Sequence, residues 1–236
     1  MSMAMVKKSQ LNESLKCEYC GKQYQVESAF LKHTCKQKQR HDARGSKAVA
    51  LGLHAFNYFY KRFLGGTQNQ TVEKFEKSSY YNAFVKFGIY CTSSKVIAPE
   101  KYAEWLVENK IRIDSWASDK HYEKFLIEYL QTEPIVDALE RAIKFSMTWA
   151  EEKNMRPQDI LRYGGSMRIV HAIASGALSP WVLYLSESGV KFLESHDGWF
   201  LDATWVYIDS EQWQKIISSR RADAEYVISI LKLAGW

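Results

Sequence analysis

The feature that most constrains this chain is a set of cysteine and histidine residues near its beginning. Two residues separate Cys17 from Cys20, and twelve separate Cys20 from His33. Two thiols followed by an imidazole at this distance are typical of a structural zinc site, where Zn²⁺ has four protein ligands in tetrahedral geometry. Such a site folds the backbone around it but leaves no coordination position open for a substrate. The pattern therefore predicts a zinc-dependent binding module and not an active site.

The spacing leaves the fourth zinc ligand open. A second His or Cys is expected after three to five intervening residues, but positions 37–39 hold Gln, Lys and Gln. Cys35 is the better candidate, because a turn after His33 can bring it back to the metal. His41 is the alternative.

The residues around the ligands also fit a small ββα zinc finger. Cys17 and Cys20 would lie on a hairpin knuckle followed by Gly21, and a short helix is expected over 27–33. Tyr24 and Phe30 occupy the positions of the miniature core. Free thiols are one alternative, but they do not explain why these two aromatic residues are in register. A disulfide between Cys17 and Cys20 is another, but no signal-peptide core supports a secreted origin.

The basic charge of the chain is concentrated around this predicted finger. The whole chain of 236 residues has a formal net charge of +5. Its first 47 residues contain ten Lys and Arg against four Asp and Glu, a net charge of +6, so the remainder carries about −1. A local basic segment of this kind suits contacts with the phosphates of DNA or RNA. The candidate contact residues are Lys32, Lys36, Lys38, Arg40 and Arg44. The alternative interpretation is a solvated polar linker.

Beyond residue 45 the hydrophobic pattern is helical. Apolar residues recur every three or four positions from Ser46, a helix cap, to Gly65, and a second helix is predicted over 71–92. Further cap and proline signals predict short helices up to the C-terminus of the sequence, and Ser188 or Gly189 starts one of them. Residues 205–208 are the one segment after the finger that could also be a strand. The sequence thus predicts a mainly α protein.

The predicted organisation has three parts: a flexible N-terminus at 1–15, a zinc finger at 16–42 and an all-α domain at 43–236, with a subdivision near residue 155. No apolar run is long enough to span a membrane, and residues 1–10 lack the apolar core of a signal peptide. A cytoplasmic protein is therefore expected.

No convincing catalytic group emerges from the sequence. The histidines beyond the finger are scattered through helical patterns, where structural roles are commoner than general-base roles. They are His54, His121, His171 and His196. Ser179 precedes a proline and reads as a helix cap, and Gly164-Gly165-Ser166 reads as the end of one helix and the cap of the next. We therefore expect no enzyme activity and no small-molecule substrate.

The C-terminal region is rich in aromatic residues. The set comprises Trp181, Tyr184, Trp199, Trp205, Tyr207 and Trp213. Core packing is the default role for most of them, but some could form a docking surface for a protein partner. Arg156, Arg162 and Arg168 form a basic rim beside Tyr163, which could instead face nucleic acid.

Several segments together resemble a family of small proteins of T-even-type tailed phages. They are Phe30-Leu-Lys-His33-Thr-Cys35, Arg40-His41, Ser79-Tyr80-Tyr81-Asn82-Ala83-Phe84-Val85-Lys86-Phe87, Leu178-Ser179-Pro180-Trp181 and Ser188-Gly189-Val190-Lys191-Phe192-Leu193. The resemblance extends over nearly the whole chain. It implies an accessory role in virion assembly, such as assembly of the baseplate hub, in the host cytoplasm, with protein partners and no covalent catalysis. The ligands Cys17, Cys20, His33 and Cys35 carry over, and so does His41, which keeps the fourth ligand open.

Overall fold

The chain folds into two compact units in the computed structural model, the first extending to Ile89 and the second running from Tyr90 to Trp236. The structure describes residues 15–65, 70–196 and 198–236. The predicted flexible N-terminus at 1–15 lies outside these ranges except for Leu15. The predicted boundary between residues 42 and 43 falls inside the first unit, which holds both the cysteine- and histidine-bearing segment and several helices.

The first unit begins with a small antiparallel strand pair. Strand β1 (Leu15–Lys16) pairs with β2 (Gln23–Tyr24), with Leu15 opposite Tyr24. Helix α1 (Glu27–Leu31) and helix α2 (Lys36–Asp42) follow. Within the described ranges this pair is the only sheet.

Three further helices complete the first unit: α3 (Lys47–Leu64), α4 (Val72–Lys77) and α5 (Tyr81–Ser93), the last continuing into the second unit. The Ser46 side chain caps α3 by accepting a hydrogen bond from the Val49 amide, and Gly65 ends it in the left-handed conformation, as predicted. The single helix predicted over 71–92 is wrong, because Ser78 is extended with ψ 140° and breaks it into α4 and α5.

Helices α3 and α5 approach each other very closely. A Cβ atom added to Gly88 would lie 1.9 Å from the Ala48 carbonyl oxygen, so only glycine permits this contact. Phe56 of α3 is buried against Phe75 and Phe84, with ring centroids 5.1 and 5.5 Å away. These aromatic contacts form the core of the first unit.

The second unit is helical throughout its described residues. Its helices are α6 (Pro99–Glu108), α7 (Asp119–Thr132), α8 (Ile135–Lys153), α9 (Ile160–Tyr163), α10 (Ser166–Ala174), α11 (Pro180–Leu185), α12 (Glu187–Glu194), α13 (Trp199–Ile208), α14 (Ser210–Ser219) and α15 (Arg221–Leu233). The predicted mainly α fold is confirmed. Residues 205–208 belong to α13, and Ser166 is the first helical residue of α10. Helix α12 starts at Glu187 after the Ser186 cap, one residue before the predicted Ser188.

The core of the second unit is built around tryptophan side chains. Trp116, Trp149, Trp181 and Trp213 are almost completely buried. Tyr207 is also buried, whereas Trp205 is 47% exposed. Core packing therefore accounts for most of the C-terminal aromatic residues whose side chains the structure describes.

A buried ion pair ties together three elements of this core. The Glu133 side chain is fully buried between α7 and α8, and both of its carboxylate oxygens accept hydrogen bonds from Arg141, at 2.9 and 2.7 Å. Ser179 at the start of α11 donates a third hydrogen bond, at 3.2 Å.

Among the described helices, none is both long and apolar enough to cross a membrane.

Candidate metal centre

The turn between β1 and β2 places the first two thiols together. The Cys17 amide donates to the Lys22 carbonyl at 2.9 Å, and the Gly21 amide donates to the Cys17 carbonyl at 2.8 Å. Gly21 has φ +71°, a conformation that glycine adopts without strain. These bonds close a tight knuckle that presents Cys17 and Cys20 on the same side.

The structure brings Cys17, Cys20, His33 and Cys35 into one group, which we call the Cys/His cluster. Their ligand atoms all lie within 4.8 Å of one another. Cys35 reaches the group because it lies in extended backbone at the start of α2, where its Sγ accepts a hydrogen bond from the Lys38 amide at 3.4 Å. Cys17 and Cys35 are buried, and His33 is half-buried.

The donor set fits a tetrahedral metal ion. Bond lengths of zinc to thiolate and imidazole place adjacent S and N ligands about 3.5 Å apart. Cys20 Sγ and His33 Nε2 lie 3.3 Å apart. Thiolates are the metal-binding form of cysteine. A hydrogen bond from the Cys20 backbone amide lowers the pKa of the Cys17 thiol to about 6, although burial opposes this shift. Further hydrogen bonds from Tyr19, Cys20 and Cys35 act in the same direction. The cluster can therefore hold a metal ion through three sulfurs and one nitrogen.

Two aromatic rings surround the cluster as the spacing predicts. The Tyr24 ring lies 5.8 Å from Phe30 and 5.1 Å from His33. Helix α1 has no buried residue at all. This segment therefore buries little apolar surface of its own.

His41, the alternative fourth ligand, is not a member of the Cys/His cluster. It lies in α2, with its ring centroid 5.2 Å from that of Tyr19. Its Nδ1 is 3.6 Å from the Asp42 carboxylate on the exposed side of the helix. The geometry thus favours Cys35 over His41.

Arg40, one of the predicted phosphate contacts, is engaged within the first unit. Its guanidinium lies 4.4 Å from the Tyr81 ring centroid and donates hydrogen bonds to the Glu76 and Ser78 carbonyl oxygens. These carbonyls lie at the end of α4, where the helix has no internal donors left for them. Arg40 therefore attaches α2 to the junction of α4 and α5.

Arg44 is engaged in the same way. It pairs with Glu76, whose side chain is only 9% exposed, and its Nη2 lies 3.3 Å from the Glu73 carboxylate. A two-point contact between a guanidinium and a carboxylate is among the strongest side-chain interactions. The hydrogen bond with Glu76 also raises the pKa of Arg44.

Lysines around the Cys/His cluster remain exposed. Lys16, Lys32, Lys36 and Lys38 are all on the surface. In the part of the chain that the structure describes, none of them belongs to an ion pair. Lys16 and Lys38 line a groove of about 420 Å³ beside the cluster, together with Tyr19 and Leu31. This surface combines positive charge with exposed apolar side chains.

The second unit brings together two residues that the sequence interpretation treated separately. Ser166 Oγ and His196 Nε2 lie 2.8 Å apart although 30 positions separate them in the chain. No local motif could have joined them, since their contact joins the start of α10 to the residues that follow α12.

Comparison with known proteins yields no relative of this chain: no family model, no curated protein and no solved structure matches it.

Proposed function

We propose that the Cys/His cluster binds Zn²⁺ and that residues 16–42 form a zinc finger of the ββα type. The donor set supports this, because three thiolates and one imidazole suit zinc better than the harder metals Mg²⁺ or Ca²⁺. Four protein ligands fill the tetrahedral coordination shell. The metal would therefore have a structural role.

We further propose that this finger binds DNA or RNA through its phosphates. The observation that carries the proposal is the set of exposed lysines around the cluster that form no ion pair with any residue the structure describes, Lys16, Lys32, Lys36 and Lys38. Lysines without an intramolecular partner can each neutralise one phosphate, and this contributes affinity without sequence readout.

Arg40 and Arg44 have a different role in this proposal. Their guanidinium groups are engaged with Glu76, Ser78 and Tyr81, so contact with a phosphate would require these interactions to be replaced. Arg40 in α2 and Arg44 in the turn after it hold the end of the finger against α4 and the start of α5. The lysines carry the nucleic-acid contact.

The proposal is tested by fluorescence anisotropy with duplex DNA and with RNA, using protein of measured zinc content. We expect binding that is lost on chelation of the metal and strongly weakened in the variant K32Q/K36Q/K38Q. A matched control is K120Q/K124Q/K144Q, which removes the same charge from exposed lysines of the second unit. Equal weakening in both variants would show that only net charge matters, and absence of binding at low salt would refute the proposal.

An assembly factor acting through protein contacts is the second candidate function. Its support is an apolar part of the second unit's surface, where Trp205 and Val206 of α13 are 47% and 50% exposed. The resemblance to T-even phage accessory proteins agrees with this role. A salt-tolerant complex with a virion protein that is lost in Trp205→Ala, together with no nucleic-acid binding, would favour it over the first proposal.

A further inference from the structure

The groove beside the Cys/His cluster combines two kinds of side chain in its wall. We call it the finger groove, and its volume is about 420 Å³. Lys16 and Lys38 give it positive charge, whereas Tyr19, Phe30 and Leu31 give it aromatic and apolar surface. All of them lie within residues 16–42, the proposed finger. Lysines suit any phosphate backbone, so the aromatic and apolar surface is the feature that restricts the ligand.

Tyr19 is placed to stack against a planar ring. The residue is 38% exposed, and its ring contacts the His41 ring, with the two centroids 5.2 Å apart. His41 therefore supports the Tyr19 ring without covering it. Leu31, which is 75% exposed, adds apolar surface to the same groove. Nucleobases stack on aromatic side chains in this way, and because every base has a π-face the contact requires no particular sequence.

Stacking of a base on a side chain requires that the base is unpaired. In a duplex, the neighbouring base pairs cover both faces of each base, and a protein reaches the base edges in the grooves. In a single strand, the bases can be splayed out and stacked on aromatic side chains. The aromatic surface of the finger groove therefore suits unpaired bases, whereas its lysines suit the phosphates of either form.

Helix α1 is poorly suited to reading a duplex. A ββα finger places its helix in the major groove, where residues near the helix start contact the base edges. Helix α1 has only five residues, and Glu27 is in its first turn. Val26 precedes it and is 58% exposed. Val26 has no side-chain group that forms hydrogen bonds with base edges, and Glu27 carries the same sign of charge as the phosphates.

From this arrangement we infer that the finger groove binds single-stranded DNA or RNA, with one unpaired base stacked on Tyr19 and adjacent phosphates on lysines. The inference rests on the nucleic-acid binding proposed above and narrows it to unpaired strands. Lys16 and Lys38 line the groove itself, so their ammonium groups can contact the phosphates next to the base. Glu18 also lines the groove, and its carboxylate can accept a hydrogen bond from an exocyclic amino group of the base.

The first test compares an unpaired oligonucleotide of about 12 nucleotides with the same strand annealed to its complement. Fluorescence anisotropy is measured at one salt concentration with the full-length protein of known zinc content, in separate arms for DNA and for RNA. Lysines alone favour the duplex, because each phosphate contact on a duplex releases more counterions than one on a single strand. We therefore expect an unpaired strand in at least one arm to bind about 10-fold tighter than its own duplex.

The possible failures of this test are distinguishable. Binding of the duplex as tightly as the unpaired strand, or more tightly, in both arms overturns the inference and leaves the proposed nucleic-acid binding standing. Absence of binding to every nucleic acid at low salt overturns both.

The second test assigns the preference for unpaired strands to Tyr19. Tyr19→Ala should weaken binding of the unpaired strand by about 10-fold, the usual contribution of one stacked base, and leave duplex binding unchanged. Tyr19→Phe keeps an aromatic ring and should keep the preference. Tyr226→Ala is the matched control, because Tyr226 of α15 is exposed to a similar extent, at 46%. In a Tyr19→Ala protein of unchanged zinc content, unchanged binding of the unpaired strand, or an equal loss for strand and duplex, overturns the inference.

A third measurement needs no variant and therefore does not depend on the folding of one. An unpaired strand that carries iodouracil is irradiated in complex with the unmodified protein, and peptide mass spectrometry locates the crosslink. We expect the crosslink on Tyr19 or on another residue that lines the finger groove. Crosslinks confined to residues outside this groove overturn the inference.

Discussion

The salt dependence of nucleic-acid binding distinguishes the exposed lysines of the finger from its two engaged arginines. For duplex DNA, log K falls with log salt by about 0.9 for each phosphate that is neutralised. Four contacts, from Lys16, Lys32, Lys36 and Lys38, give a slope of about −3.6 and a loss of about 150-fold between about 50 and 200 mM salt. If Arg40 and Arg44 also contacted phosphates, six contacts would give a slope of about −5.4 and a loss of about 1,800-fold.

The perturbation is K32Q/K36Q/K38Q, measured by anisotropy over a salt series with fluorescently labelled duplex DNA. Only one of the four contacts remains, so the slope should fall in magnitude to about 0.9. The variant R40Q/R44Q should keep the original slope but unfold at a lower temperature, because it loses the contacts with Glu76 and Tyr81. An unchanged slope in the lysine variant, or a slope reduced by about two in the arginine variant, would refute this reasoning.

Three further predictions concern stability. Chelation of the metal or the substitution Cys20→Ser should unfold the strand pair and α1 and leave the helices beyond α2 folded. Amide hydrogen exchange measures this, and retained protection in residues 15–35 would contradict it. Gly88→Ala should destabilise the first unit by about 1–3 kcal/mol or more, since the new Cβ would lie 1.9 Å from the Ala48 oxygen, and an unchanged urea midpoint would count against the close approach. Arg141→Met should cost about 3–5 kcal/mol near pH 7, because it leaves the Glu133 carboxylate buried without its partner. Burial already raises the pKa of Glu133 against the opposing effect of Arg141, so the variant raises it further. A raised pKa in the folded state favours folding at low pH. The destabilisation measured by urea unfolding should therefore become smaller as the pH falls from 7 towards the pKa of Glu in the unfolded chain, about 4.3.

The helix boundaries were largely predictable where a local signal sets them. The Ser46 cap and the left-handed Gly65 both act within one turn of α3. The break at Ser78 was missed because the apolar pattern continues across it and Ser has no strong preference against helix. Local propensity could not reveal it.

Most of the Cys/His cluster was also predictable, since the spacing of Cys17, Cys20 and His33 follows from a short turn and a short helix, whereas the choice between Cys35 and His41 was left open by the sequence. The roles of the basic residues were not. All five candidates look alike as charges in a sequence, but Arg40 and Arg44 lie opposite Glu76, Ser78 and Tyr81, more than 30 positions away. Only folding of the first unit could separate them from the exposed lysines.

By itself, the sequence determined the mainly helical fold and three members of the Cys/His cluster, Cys17, Cys20 and His33, because both depend on interactions between near neighbours in the chain. It left the fourth member open between Cys35 and His41, and the structure places Cys35 in the cluster. The tertiary structure alone decided which charges are engaged and which remain free. It also placed Ser166 against His196 and buried Glu133 against Arg141 and Ser179. These contacts arise where distant helices pack together, and such packing depends on the shape and burial of the whole unit, which no local pattern contains.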